Sequence, residues 1–276
     1  MQRREFMKQV AAGSVGLGVG VAGLRSIAAS AEAMISPKTI NVLVWDEQQD
    51  VQVKSGAYKN YLGNAVAEFL AKTDGLKVTS ANLGEPEQGL AEERIAAADV
   101  FVWWGHQKHA DVNDSKVETI VAKVKSGKAG FVTLHSAHYS KPFKRLMGTN
   151  CGFKTVKVEN GGKGSADHIR VVNPNHPIAH GVSDFDIPHT EIYGEPFEVP
   201  MPDTIVLFGH WDSGDSFPDC CVWTVGEKGV APAAKDRSTG GRVVYFRPGH
   251  ETFPIFHQPE VQRVVTNAVQ WAAPKT

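Results

Sequence analysis

A chain of 276 residues with 42% hydrophobic and 21% charged residues is long enough for one large domain with a well-formed core. Its formal net charge of −1 excludes the electrostatic footprint of a nucleic-acid-binding protein. Three cysteines, Cys151, Cys220 and Cys221, make no disulfide framework. All three read as small buried residues, with a bridge from Cys151 to one of the others as the alternative.

The first 33 residues read as an address. MQRREFMKQ carries Arg3-Arg4, a glycine-rich, weakly apolar run follows from Val10 to Leu24, and Ala29-Ser30-Ala31 and Ala31-Glu32-Ala33 are small-x-small cleavage sites. The run is shorter than the ~20 residues of a membrane span. A twin-arginine export signal, a periplasmic mature protein and no stable membrane span are expected.

Residues 38–274 then read as one domain. INVLVW (Ile40–Trp45) is a short continuous apolar run, the pattern of a strand buried on both faces. A helix is expected over Tyr58–Ala71, a strand over Leu76–Leu83, a helix over Ala91–Ala98 and a strand over Asp99–Trp104. A helix over Ser115–Val124 and a strand over Ala129–His135 follow. This alternation predicts a parallel sheet with helices on both faces. Five further strands are expected, over His168–Asn173, Ile192–Val199, Thr204–His210, Cys220–Val225 and Arg242–His250. Gln258–Ala272 reads as a closing amphipathic helix. The irregular second half predicts an antiparallel extension of the sheet.

Eleven histidines hint at metal or acid/base work, since imidazole does both near neutral pH. In open α/β sheets ligands bind beyond the carboxyl ends of the strands. Three predicted strands end there in histidine-bearing turns, at His106 and His109, at His135-Ser136-Ala137-His138, and at His250-Glu251. As parallel neighbours they would converge on one cleft. Neutral imidazoles with a carboxylate favour a divalent metal, zinc above all, on His106, His135, Glu191 and His250, with His109 and His138 as alternates. Ser136 as a hydrolase nucleophile is an alternative, although LHSAH lacks the glycines of an elbow. A metal-free proton-transfer pair is another. Trp103, Trp104, Tyr139, Tyr193 and Trp211 could stack on sugar rings. Lys141 or Arg145 could orient an anionic substrate, or could be a solvated helix face.

The stretches WWGHxxH, LHSAHYSKPFKRLMGT, HPIAHG, EIYGEPFEVP and YFRPGHETFPIFHQPEVQRVVTNAVQWAAP resemble the ThuA-like, trehalose-utilisation family from Ile40 to Pro274. The resemblance implies a flavodoxin-like, class I glutamine amidotransferase-like three-layer α/β fold, its sheet mostly parallel with an antiparallel extension. In the amidotransferases the turn after the equivalent strand carries a nucleophilic cysteine. Here it carries His135-Ser136, and His250-Glu251 lacks the glutamate two residues on, which argues against glutamine hydrolysis. The resemblance further implies a role with trehalose-like disaccharides and 3-keto sugars, through His106, His135, Glu191, Tyr193 and His250. The expectation is a metal-assisted isomerase, lyase or hydrolase acting on a keto-glycoside, in which Glu251, His138 or Tyr193 moves the proton. A non-catalytic sugar-binding accessory protein is the alternative, and self-association is common in this fold. Many relatives carry a histidine in the loop after the first strand, where this chain has Trp45–Asp50. Gln49 or Asp50 would have to substitute for it, or the site differs.

Overall fold

The computed structural model describes residues 39–154, 156, 164–230 and 239–275. All belong to one compact unit, Pro37–Thr276. The expected export signal lies outside them. No helix among the described residues is long and apolar enough to cross a membrane.

The first half follows its hydrophobic pattern. Strands β1 (Ile40–Asp46), β2 (Leu76–Asn82), β3 (Val100–Trp104) and β4 (Gly130–Leu134) pair in parallel in the order β2-β1-β3-β4. The runs of β3 and β4 are continuously buried, and apolar but for Thr133, because both faces are covered. Val42, Val44, Val100, Val102, Val132 and Leu134 enter one core, which contains the apolar side of α2 (Leu62–Leu70) and of the closing helix α6 (Pro259–Ala272). Leu43, Trp45, Phe101, Trp103 and Phe131 alternate into a second core, with α4 (Asp114–Lys125) and α5 (Lys141–Met147). Two shorter helices, α1 (Asp50–Lys54) and α3 (Glu92–Ala97), complete the layers. The sequence places the second helix too early. Tyr61 adopts φ 59°, so the helix begins only at Leu62.

Two small strands follow α5. β5 (Phe153–Lys154) pairs antiparallel with β8 (Gly194–Phe197), which is all the strand that forms within Ile192–Val199. Between them β6 (Ser165–Val171) and β7 (Phe185–Thr190) form a hairpin at the sheet edge. β9 (Thr204–His210), β10 (Ser216–Gly226), the short β11 (Gly229–Val230) and β12 (Gly241–Phe246) complete the chain's strands. β12, the last in sequence, lies parallel to β4, and from it β10, β9, β6 and β7 continue antiparallel. This is the mostly parallel sheet with an antiparallel extension that the sequence predicts. All three cysteines are buried and free.

Candidate active site

β3, β4 and β12 are parallel neighbours, so the turns that follow them meet at one end of the sheet. The sharpest is after β4, where His135 takes φ 51°, a strained strand-to-helix turn like a nucleophile elbow. It is a histidine, and not Ser136, that occupies the strained position. Gly249 faces it with φ 152°; a Cβ there would fall 2.8 Å from His135 Cβ. The close approach of the two turns therefore needs glycine.

Glu191 lies between two imidazoles. Its Oε2 is 3.3 Å from His135 Nε2 and its Oε1 3.4 Å from His250 Nε2. Both histidines are buried, while the Glu191 side chain keeps 16% of its surface open. Burial would raise the Glu191 carboxyl. The hydrogen bonds and charge of His135 and His250 outweigh it and hold the group well below the usual carboxylate range. Burial pulls His135 below the usual imidazole range, against the opposing pull of Glu191.

The partners of the other ring nitrogens assign tautomers. His135 Nδ1 donates to the Arg247 carbonyl at 2.9 Å. A neutral His135 therefore turns its Nε2 lone pair toward a carboxylate oxygen of Glu191. His250 is the reverse. Its Nδ1 accepts from the Thr252 backbone N–H at 3.0 Å, so a neutral His250 carries its proton on Nε2, toward Glu191. The trio is thus a carboxylate between two imidazoles, facing a bare Nε2 on one side and an N–H on the other.

Around this trio opens a cleft of ≈ 310 Å³ lined by His106, Ser136, His138, Tyr139, Phe153, Val156, Glu191, Ile192 and Tyr193, within the range of small-molecule sites. His138 Nδ1 donates to the Cys151 carbonyl at 2.6 Å, and its Nε2 is buried with no partner among the described residues. Burial pulls His138 down to about 3, so it stays neutral and offers an acceptor, not an acid. Burial likewise draws His109 down to about 4. Tyr193 stacks on Phe153 with ring centres 4.0 Å apart; burial raises its hydroxyl far above the usual range, so it remains a donor. His106 and Glu251 stand at the side, with His106 Nε2 3.9 Å from Glu251 Oε1.

The expected zinc set can be tested against this geometry. Glu191 turns a different oxygen to each imidazole, the facing nitrogens His135 Nε2 and His250 Nε2 are buried with no hydrogen-bond partner among the described residues, and His106 leans to Glu251. No group of three His, Cys, Asp or Glu among the described residues is arranged to hold a metal ion. As they stand, His135, Glu191 and His250 come together and His106 stands apart beside Glu251. The substitutes after β1 are engaged elsewhere: Gln49 Nε2 bonds Glu47 at 2.5 Å, and Asp50 pairs with exposed Lys54. Ser136 Oγ spends its proton on the Gly105 carbonyl at 2.9 Å, which gives the serine-hydrolase alternative no support.

Other expectations move. Trp103, Trp104 and Trp211 are core residues, and Trp103 stacks on Trp45; of the five aromatics only Tyr139 and Tyr193 reach the cleft. Lys141 and Arg145 pair with Asp114, and Arg145 also with Glu118, so they form a helix face. His176 accepts from Ile178 N–H in a turn.

The loop after β1 builds the cleft from behind. Glu47 accepts the backbone N–H groups of Gln107 and Lys108 at 2.8 and 3.0 Å, fixing the His106 turn. Asp46 accepts from Gly63 at 2.7 Å and Gln48 at 2.8 Å. Burial outweighs those bonds and raises Asp46 from 3.8 to about 6. A raised folded-state pKa gives stability that is present below the unfolded value and lost as pH rises through the folded one. We expect denaturation midpoints to fall between about pH 4 and pH 6, by up to ~3 kcal/mol from this group. In Asp46→Asn that slope should flatten, and a wild-type slope in the variant would refute the assignment.

Arg247 and its partners Asp167 and Asp219 are absent from the sequence expectation. Part of the signal was there: Asp219 interrupts the otherwise buried and largely apolar run of β10, whereas Asp167 lies in the mixed, half-exposed β6.

The family model for ThuA, trehalose utilisation, matches residues 41–272. No curated protein matches the sequence. Among solved structures, a ThuA-like protein from Parabacteroides merdae is similar over 87% of this chain and 93% of its own, with a TM-score of 0.58 and 14% identity. A glutamine amidotransferase from Thermotoga maritima aligns over 86% and 96% at 9% identity, with a TM-score of 0.44. With the family model spanning nearly all of the folded unit, this chain belongs to the ThuA, trehalose-utilisation family.

Proposed function

We propose that this protein is an enzyme of sugar metabolism that moves a proton at a carbon beside a ketone, on an uncharged keto-glycoside such as a 3-keto derivative of trehalose. The observation that carries this is Glu191, an ionised carboxylate partly open to an aromatic cleft and held between His135 Nε2 and His250 Nε2. A carbonyl acidifies the neighbouring C–H bond. Glu191 takes that proton, and the bond's electron pair moves into the carbonyl to give an enediolate. The two imidazoles hold the carboxylate and share the proton, Tyr193 supplies a hydroxyl donor, and His138 accepts from a substrate hydroxyl. Return of the proton at the adjacent carbon gives isomerisation; expulsion of the glycosidic oxygen gives elimination. The pairing of Lys141 and Arg145 away from the cleft favours an uncharged substrate over a phosphorylated one.

Zinc is the competing proposal, and one observation favours it: His135 gives its Nδ1–H to a backbone carbonyl, as metal-bound imidazoles do. The test is incubation of a 3-keto-disaccharide with the protein in deuterated water, with the metal content of the same sample measured. Deuterium at the carbon beside the ketone in a metal-free sample is the expected result. Exchange that needs one bound ion per chain would transfer the role to the metal. Saturable binding without exchange or turnover would make the protein a sugar-binding accessory.

A further inference from the structure

Behind Glu191 and His135 lies a charged cluster that proton abstraction does not itself use. Arg247 is fully buried and ion-paired with both Asp167 and Asp219, which are buried as well. The same residue touches the site twice. Its Nη1 donates to the Glu191 carbonyl at 2.9 Å and to Thr190 Oγ1 at 3.2 Å, and its own carbonyl accepts His135 Nδ1–H.

One guanidinium against two carboxylates would leave a formal charge of −1 in a site closed to water, a costly arrangement. The geometry shows how it is avoided. Arg247 binds Asp167 Oδ2 and Asp219 Oδ1. The remaining oxygens, Asp167 Oδ1 and Asp219 Oδ2, are buried and have no hydrogen-bond donor among the described residues. Both converge on Gly209, in β9, the strand that separates β6 from β10. A Cβ on Gly209 would collide with each of them. Glycine there lets two carboxyl groups meet across the intervening strand. Two bare carboxylate oxygens so placed repel, whereas a proton between them makes a hydrogen bond.

We propose that Asp167 and Asp219 share one proton, and that Arg247, Asp167 and Asp219 form a charge-balanced post that positions Glu191 and His135. Burial pushes both aspartates above the ordinary carboxylate range, Asp219 furthest. The positioning half rests on the proton-transfer reading of Glu191; the shared proton does not.

The experiment is infrared spectroscopy of the resting full-length protein above neutral pH, where Asp46 is ionised. A carboxylic-acid carbonyl band should be present and should vanish in Asp219→Asn and in Asp167→Asn. An amide replaces a protonated carboxyl without changing the charge balance. At least one of these variants should therefore keep its Tm within a few degrees and keep the ¹⁵N signature of a protonated His135 Nδ1. Alanine at the same position should lose both. Absence of the band, its persistence in both asparagine variants, or loss of fold or of the His135 signature in both would overturn the proposal. These readouts need no substrate. A protein that meets them but exchanges no substrate proton would leave the post standing and remove only the sugar reading.

Discussion

Replacing Glu191 with glutamine should slow proton exchange from a 3-keto-disaccharide by about 10²–10⁴-fold, the usual worth of a positioned acid/base group. The substitution keeps the shape of the side chain and one oxygen acceptor for the His250 N–H. It removes the negative charge that faces His135 Nε2 and the basicity that would take a proton from substrate. Because Glu191 is the member of the trio open to the cleft, binding should change far less than turnover, and thermal stability should stay near wild type. Exchange at the wild-type rate in a folded Glu191→Gln protein would remove Glu191 from the chemistry. A parallel loss of binding and turnover would mean that the carboxylate only grips the substrate.

Arg247→Ala should be the most damaging single change for stability. It leaves two buried carboxyl groups holding at least one charge with no cation, and breaking a buried pair from one side costs about 3–5 kcal/mol. For a domain of this size that is a fall of about 10 °C in Tm. The Glu191 carbonyl and Thr190 Oγ1 lose a donor in the same step. A calorimetric Tm within a degree or two of wild type would show that the cluster relaxes or hydrates without cost.

The sequence discloses the parallel half of the fold because there the local signal and the tertiary demand agree. Strands buried on both faces favour apolar runs, and VFVWW and, but for Thr133, GFVTL are such runs. The edge hairpin is less legible. FDIPHT in β7 mixes proline, aspartate and histidine because much of its surface faces solvent. The site divides in the same way. Histidines after three strand ends mark the cleft, but whether they ligate a metal or pass a proton depends on what each second ring nitrogen faces. Those partners are backbone groups, the carbonyls of Arg247 and Cys151 and the N–H of Thr252, and residue identity does not encode them. The Asp167–Arg247–Asp219 post joins residues 80 and 28 positions apart, so no local spacing reveals it.

The placement of β12 bears on how the chain is made. This strand follows all the others among the described residues, yet it sits between β4 and β10 in the interior of the sheet. Until it emerges, both of those strands present open edges, and the parallel and antiparallel halves have no seam. Arg247 and His250 travel with it, so the cluster around Glu191 cannot assemble before this strand is made. Closure of this seam has high contact order and is a slow step by topology alone, with unpaired edges exposed to aggregation in the interval. A chain of this design is most in need of chaperone cover just before this strand docks.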